Sequence, residues 1–171
     1  MDLSEHVRQI PDFPKRGILF YDISTLLHHV EAWRAAIERM AIVARSYHPD
    51  RIAGIESRGF LFGAPLALDL GVGFGMVRKQ GKLPGSVVSH AYDLEYGSDS
   101  VEISADLIPP GSRVVIVDDL IATGGTAAAT AQLLRKIGAE VAAAIFLIEL
   151  GGLNGRKRLD VPVHSLISYE G

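Results

Sequence analysis

The chain has 171 residues and no cysteine, and its formal net charge is −3. This length predicts one domain with a substantial core, and the lack of cysteine excludes disulfides, thiolate metal ligands and a cysteine nucleophile. The weak negative charge gives no general attraction to nucleic acid or to a membrane surface, so an anion would have to bind at a local basic patch.

The predicted elements alternate between strand and helix along the chain. Pro11, Pro14 and Gly17 predict an extended or turned segment over residues 10–17. Hydrophobic periodicity predicts helices over residues 31–46, 60–70 and 126–137, the last two ended by Gly71 and Gly138. Apolar runs predict strands at 18–21, 51–56, 74–78, 101–107, 113–119, 140–150 and near 163–169.

This alternation predicts an α/β fold, with a central mostly parallel sheet flanked by helices on both faces. Ligands bind such sheets beyond the carboxyl ends of the strands. Residues 79–100 are rich in glycine, serine and other polar residues, and we expect them to form a long connection that is functional or mobile.

The sequence also predicts a cytoplasmic protein. Its longest apolar stretch, residues 141–150, is too short to span a bilayer and contains Glu149. Asp2, Ser4 and Glu5 follow Met1, so the first residues have neither the basic nor the apolar part of a secretory signal.

The clearest candidate site is RVVIVDDLIATGGT, residues 113–126, where a buried strand ends in Asp118 and Asp119. A loop of small residues then leads into a helix, and the helix dipole and free backbone N–H groups at such a loop favour a bound anion. Two carboxylates beside it can accept hydrogen bonds from a pair of hydroxyls. A ribose 5-phosphate fits this arrangement, with its phosphate on Ala122, Thr123, Gly124, Gly125 and Thr126.

Other interpretations of these glycines are weaker. The loop lacks the lysine of a Walker-type loop, and GVGFG at residues 71–75 has neither the spacing nor the position of a dinucleotide-binding fingerprint. An ordinary strand end with a glycine-rich turn is the remaining alternative. ESRGF at residues 56–60 also follows a predicted strand and opens a helix, so we expect a second anion loop in which Arg58 supplies paired donors, unless Arg58 merely pairs with Glu56.

The segment VVIVDDLIATGGT closely resembles the phosphoribosyl-pyrophosphate motif of the type I phosphoribosyltransferases. PDFPKRGILFYDIS, GIESRGFLFG, VRKQGKLPG and YDLEYG are similar to segments of the family members that act on adenine, so that the resemblance covers nearly the whole chain. It implies a single domain with a small N-terminal hood, residues 1–30, and a flexible lid loop, residues 79–100. It also implies transfer of the phosphoribosyl group from 5-phosphoribosyl 1-pyrophosphate to adenine with Mg²⁺, giving AMP and pyrophosphate.

The resemblance implies a role for each part of the site. Asp118 and Asp119 hold the ribose hydroxyls, where they can also stabilise positive charge at C1, and Glu95 is the general acid/base, close to N7 of adenine. The pyrophosphate is assigned to Ser57, Arg58, Arg78, Lys79 and Lys82, and the base to the Leu19 backbone and the side chains of Phe20 and Leu120. Without the resemblance, Glu95 and the two lysines would be interpreted as solvated surface residues, and Phe20 as a core residue.

Two departures from the family pattern lie in this sequence. Tyr21 stands where the family commonly has arginine, which affects the contact that places the N-terminal segment over the base. Gln80 stands where a basic residue is common, and we give it no role. We expect the run Arg156-Lys157-Arg158 to form a solvated turn.

The expected partners are small molecules and a second copy of the chain, with no nucleic acid and no membrane. The six histidines have no metal-ligand spacing, so Mg²⁺ would be held mainly by substrate oxygens and water. The family suggests a homodimer, with the helix of ESRGFLFG as a possible contact. Two alternatives stay open: an enzyme for an oxopurine such as hypoxanthine, guanine or xanthine, and a non-catalytic regulator with the same fold.

Overall fold

The computed structural model describes all 171 residues. Its strands are β1 (Arg8–Ile10), β2 (Phe20–Asp22), β3 (Arg51–Ile55), β4 (Gly73–Lys79), β5 (Val87–Asp93), β6 (Ser98–Ser104), β7 (Arg113–Ile121), β8 (Glu140–Leu150) and β9 (Val163–Tyr169). Its α-helices are α1 (Ser24–His28), α2 (Val30–Arg45), α3 (Phe60–Leu70) and α4 (Gly125–Lys136), and short 3-10 helices form at Leu3–His6, Gly151–Leu153 and Gly155–Arg158. None of the helices combines the length and the apolar character needed to cross a membrane.

A seven-stranded sheet in the order β5-β6-β4-β3-β7-β8-β9 forms the centre of the fold. Five neighbouring strands are parallel to one another: β4, β3, β7, β8 and β9. Strand β6 is antiparallel to both β4 and β5. Helices α2 and α3 pack on one face, and α4 packs on the other. The prediction of a mostly parallel sheet flanked by helices is confirmed.

The continuous apolar run before Asp118 is explained by burial on both faces of the sheet. Val115 and Val117 of β7 pack in the core on the α2 and α3 side, and Val114 and Ile116 pack in the core on the α4 side. A strand buried on both faces has no solvent-exposed positions, so its apolar residues need not alternate with polar ones. Asp118 and Asp119, which follow this run, therefore lie at the carboxyl edge of the sheet.

Most predicted boundaries agree with the structure to within a few residues. Helix α3 ends at Gly71, which has φ +70°, a conformation that glycine adopts without steric cost. The principal difference is the expected connection at residues 79–100. It contains strand β5 and the first half of β6, which form an antiparallel hairpin whose turn lies at residues 94–97.

The polar sequence of this segment explains why no strand was predicted at residues 87–93. Strand β5 lies at the edge of the sheet and has no fully buried residue, so its polar sequence lacks the apolar signal of a core strand. The predicted strand at 101–107 also begins three residues earlier, at Ser98.

The N-terminal residues form a separate layer. Strands β1 and β2 pair only with each other, with Ile10 opposite Phe20 and Arg8 opposite Asp22. Tyr21 lies between these positions and is buried, with its ring stacked on Tyr169 of β9 at a centroid distance of 4.4 Å. The residue that departs from the family pattern therefore fixes this layer to the last strand of the central sheet.

Candidate active site

A cavity of about 420 Å³ opens beyond the carboxyl ends of β3 and β7. Two loops that lead into helices form most of its wall: one joins β3 to α3, and the other joins β7 to α4. Its lining residues are Ile55, Glu56, Ser57, Arg58, Lys79, Asp118, Asp119, Leu120, Ile121, Ala122, Thr123, Gly124, Gly125, Thr126 and Ala127. The structure thus brings together the two loops that the sequence predicts to be anion sites.

The loop from Ala122 to Thr126 is held in place by close backbone packing. Gly124 has φ +84°, and a Cβ atom placed on it would lie 2.3 Å from the carbonyl oxygen of Gly155. A Cβ atom on Gly155 would in turn lie 2.3 Å from the carbonyl oxygen of Ala122. Both positions therefore require glycine. Helix α4 begins at Gly125 without a side-chain cap, so its first N–H groups face the cavity and suit a bound phosphate.

The two acids that end the apolar run of β7 differ in their partners. Asp119 is buried, and its Oδ2 lies 2.7 Å from Arg58 Nε in the facing loop. Arg58 therefore pairs with Asp119 rather than with Glu56, and its role in binding an anion stays a prediction. The Arg58 guanidinium also lies 5.4 Å from the centroid of the Phe20 ring, a distance at which a cation is attracted to the aromatic face.

Asp118 lies against the backbone of the β3–α3 loop. Its Oδ1 accepts a hydrogen bond of 2.8 Å from the backbone N–H of Asp119, and a Cβ atom on Gly59 would lie 2.8 Å from the same oxygen. Burial raises the pKa of Asp118 well above its usual value, and the neighbouring carboxylate of Asp119 raises it further. Charge at this position is therefore costly, as is common in sites that bind a polar ligand.

Glu56 is a partly buried residue, with a side chain that is 8% exposed, and it holds the start of the hairpin segment. It accepts hydrogen bonds of 2.5 Å from the backbone N–H of Lys79 and from Lys82 Nζ, and its Oε1 lies 3.5 Å from Arg78 Nε. Burial alone would raise the pKa of Glu56, but the bonds from Lys82 and from the Lys79 backbone outweigh it and lower the pKa. The Glu56–Ser57 peptide bond is cis.

A hydrogen-bonded chain crosses the cavity rim from the hairpin to the small-residue loop. Lys79 Nζ donates to the Tyr92 hydroxyl and, at 2.8 Å, to Asp99 Oδ2, while the Tyr92 hydroxyl lies 3.1 Å from Thr126 Oγ1. Burial lowers the pKa of Lys79, but the bonds to Asp99 and Tyr92 outweigh this effect and raise it. We call these four residues the Tyr92 network.

Five predicted site residues do not line the cavity. Arg78 and Lys82 face Glu56 beside it. Phe20 is joined to the cavity through Arg58, and Leu19 is exposed next to Phe20. Glu95 is exposed in the turn of the hairpin, away from the cavity in this conformation, so its assigned role is still a prediction that requires the hairpin to close.

Several residues at the cavity had no predicted role. Tyr92 opens the quoted segment YDLEYG, and Glu56 opens ESRGF, so both lay within identified motifs without an assigned role. The run 156–158 is not merely a solvated turn. It forms a 3-10 helix in which Arg156 pairs with buried Glu149, and Arg158 Nη1 would lie 3.3 Å from a Cβ atom placed on Gly125.

The structure contains no group of three or more histidine, aspartate or glutamate side chains that could hold a metal ion. The carboxylates at the cavity have protein partners: Glu56 is held by Lys82 and Lys79, and Asp119 by Arg58. A cation in this cavity would therefore need most of its oxygen ligands from a bound molecule and from water.

Comparisons with known proteins agree with this geometry. The family model of the phosphoribosyl transferase domain matches residues 22–168. The adenine phosphoribosyltransferase of Acidiphilium cryptum is 64% identical over 170 residues, which are 99% of each chain.

Solved structures show the same fold. Adenine phosphoribosyltransferase from Thermoanaerobacter pseudethanolicus superposes with a TM-score of 0.94 at 52% identity, covering 98% of both chains. The enzyme of Saccharomyces cerevisiae, crystallised with an imino-altritol bisphosphate and adenine, superposes with a TM-score of 0.89 at 45% identity, covering 96% of both chains.

Proposed function

The chain belongs to the phosphoribosyltransferase family, and from that membership we propose that it is an adenine phosphoribosyltransferase of purine salvage. The enzyme transfers the 5-phosphoribosyl group of 5-phosphoribosyl 1-pyrophosphate to adenine, and the products are AMP and pyrophosphate. The observation that carries this function is the pair of loops that face each other across one cavity, with Asp118 and Asp119 between them.

We propose that each substrate group has its own part of the cavity. The 5-phosphate binds the backbone N–H groups and hydroxyls of residues 122–126, because the uncapped start of α4 supplies donors and a favourable dipole. The ribose hydroxyls donate to Asp118 and Asp119. The pyrophosphate binds Ser57 and Arg58 of the facing loop, and Lys79, Arg78 and Lys82 supply further positive charge from the start of the hairpin segment.

The chemistry breaks the bond between ribose C1 and the pyrophosphate oxygen and forms a bond between C1 and N9 of adenine. The pyrophosphate takes the electron pair of the broken bond, and Arg58 and Lys79 stabilise its charge. The aspartates stabilise the positive charge that develops at C1. The neutral adenine tautomer that carries its hydrogen on N7 attacks C1 through the N9 lone pair. The Glu95 carboxylate accepts the N7 proton.

The base is proposed to bind between Phe20 and Leu120. Leu120 lines the cavity next to the ribose aspartates, and Phe20 lies beyond Arg58 on the N-terminal layer. The backbone of Leu19 reads the base edge. Since Tyr21 is buried against Tyr169, it positions this layer through packing rather than through contact with the base.

Mg²⁺ is proposed as the cofactor, and most of its ligands would be substrate oxygens and water. The carboxylates at the cavity fit such a site, because they can accept hydrogen bonds from metal-bound water without forming a protein cage. When bound, the cation offsets negative charge on the pyrophosphate. Loss of activity after chelation, restored by added Mg²⁺, would support this assignment.

A homodimer is proposed through the exposed side of α3. Leu61 and Leu68 lie on one face of this helix, because they are seven residues apart, and Leu68 is 84% exposed. Met76 of the adjacent strand β4 is 41% exposed. A helix that is apolar on its outer face is more stable when a second chain covers it.

The cytoplasmic location also stays a proposal, which cell fractionation would test.

The function is tested with a panel of bases. Purified protein is mixed with Mg²⁺, 5-phosphoribosyl 1-pyrophosphate and either adenine, hypoxanthine, guanine or xanthine, and nucleotide formation is followed by absorbance. We expect AMP from adenine and at least about 100-fold lower kcat/KM for the oxopurines, since unpaired polar groups at the base edge are costly. Product from an oxopurine alone would overturn the base assignment, and no product from any base would favour a regulator.

A further inference from the structure

We propose that Tyr92 is a positioning residue that couples the 5-phosphate site to the pyrophosphate site. The proposal rests on the function given above, which assigns Thr126 to the 5-phosphate and Lys79 to the pyrophosphate. The hydroxyl of Tyr92 is hydrogen-bonded to both of these residues. It is thus a direct protein link between the end of β4 and the start of α4, which belong to the two proposed anion sites.

The direction of the hydrogen bonds follows from the chemistry of the three groups. An ammonium group only donates, so the Tyr92 oxygen accepts from Lys79 Nζ. The phenolic hydrogen is then free to donate to Thr126 Oγ1, at 3.1 Å. With its oxygen accepting from Tyr92, the Thr126 hydroxyl can direct its own hydrogen to an anion at the start of α4.

Hydrogen bonds in such a series strengthen one another, because each donor polarises the next. A phosphate that accepts from Thr126 makes the threonine oxygen a better acceptor for Tyr92. Tyr92 in turn becomes a better acceptor for Lys79, so that the lysine stays at the cavity wall, where it can meet the pyrophosphate. Asp99 holds the other side of the same ammonium group at 2.8 Å.

The packing around Tyr92 keeps this hydroxyl in place. Its ring lies beneath Lys79 Nζ, which is 5.1 Å from the ring centroid, and Tyr92 Cδ2 would lie 4.0 Å from a Cβ atom on Gly125. Tyr92 is also part of β5, paired with Asp99 of β6. The residue is therefore fixed by the hairpin on one side and by the phosphate loop on the other.

Tyr92→Phe tests the link, because it removes the hydroxyl and keeps the ring. Titration calorimetry measures ribose 5-phosphate binding, pyrophosphate binding with Mg²⁺, and pyrophosphate binding at saturating ribose 5-phosphate. We expect each affinity to fall roughly 5- to 10-fold, as for the loss of one hydrogen bond to a charged or polar group. We also expect the enhancement of pyrophosphate binding by ribose 5-phosphate to fall at least about threefold.

Two controls make the result specific. Tyr47→Phe removes a phenolic hydrogen bond of 2.6 Å to His164, far from the cavity, and should leave all three affinities unchanged. In a Thr126→Val background, Tyr92→Phe should have no further effect on ribose 5-phosphate binding, since its partner is already absent. Equal melting temperatures of Tyr92→Phe and the wild type would show that the fold is intact.

The possible outcomes separate this inference from the proposed function. Unchanged affinities in Tyr92→Phe, or a loss confined to one of the two ligands, would overturn the link while wild-type AMP formation persists. A wild-type chain that neither binds ribose 5-phosphate nor forms AMP would overturn the proposed function itself. Loss of both affinities together with the coupling supports the link.

Discussion

Arg58 and Asp119 pair across the cavity, with Arg58 Nε 2.7 Å from Asp119 Oδ2. The pair joins the β3–α3 loop to the end of β7, so that a group proposed for pyrophosphate and a group proposed for ribose neutralise each other. In the proposed function, the ribose hydroxyls bind Asp119 and the pyrophosphate oxygens bind Arg58.

Asp119→Asn should lower kcat/KM for AMP formation by roughly 100-fold, because it removes a negative charge next to the developing positive charge at C1. The free energy of unfolding should change by less than about 1 kcal/mol, since the Arg58 side chain is 46% exposed and water can solvate it. Steady-state kinetics and urea unfolding measure the two quantities. Asp160→Asn, which breaks the surface pair with Arg135, is the control. If the loss in kcat/KM, expressed as a free energy, equalled the loss in the free energy of unfolding, the proposed role of Asp119 in catalysis would be contradicted.

Asp118→Asn should stabilise the protein at neutral pH while lowering its activity. The folded-state pKa of Asp118 is raised, so the folded chain binds this proton more tightly than the unfolded chain does. The carboxylate therefore costs stability as the pH rises above its unfolded pKa of about 4. The melting temperature of the variant should match that of the wild type near pH 4 and exceed it by a few degrees near pH 7. A difference that does not change with pH would refute this explanation.

Glu95→Gln should lower kcat by roughly 100-fold or more, as expected for loss of a general base. The KM for 5-phosphoribosyl 1-pyrophosphate should change little, because Glu95 lies in the exposed hairpin turn and not at the proposed phosphate groups. Asp93→Asn, at a second exposed acid of the same hairpin, is the matched control. A kcat within twofold of the wild type would remove Glu95 from the mechanism.

Arg158→Ala should raise the KM for 5-phosphoribosyl 1-pyrophosphate roughly 3- to 10-fold, with kcat within about twofold. Arg158 makes no ion pair, and its guanidinium lies beside Gly125 at the start of α4, where a cation is unfavourable unless an anion is bound. Arg158→Lys should recover part of the affinity. Lys157→Ala, on the same turn, should behave as the wild type, and equal effects of the two alanine variants would indicate only a general loss of positive charge.

Leu68→Glu should convert the proposed dimer to a monomer, because it places a charge in the centre of the exposed apolar face of α3. Light scattering at micromolar concentration gives the mass of each species. Leu107→Glu changes another exposed leucine outside α3 and should leave the mass unchanged. A wild-type chain that is already monomeric would contradict the dimer directly.

The central sheet and the small-residue loop that leads into α4 could be predicted because their signals are local. Burial on both faces gave β7 a continuous apolar run, and the loop 122–126 needed small residues within a few positions of its helix. The identification of ESRGF as a second loop followed from the same local pattern of a strand, a basic residue and a helix start.

What could not be predicted depends on contacts between distant residues. The pairing of Arg58 with Asp119 and the position of Arg158 beside Gly125 arise only after the loops of β3, β7 and the C-terminal turn meet. The hairpin of β5 and β6 was missed because an edge strand with one exposed side carries little hydrophobic pattern. Tyr92 lay in a quoted motif, but no spacing rule indicates that its hydroxyl contacts Thr126.

The stack of Tyr21 on Tyr169 separates the supports of the two halves of the proposed site. The layer that carries Phe20 is fixed in part by Tyr169 of β9, whereas the loop of residues 122–126 packs against the backbone of Gly155. If Phe20 binds the base as proposed, a change at Tyr169 would therefore affect the selection of adenine before it affects binding of the sugar phosphate.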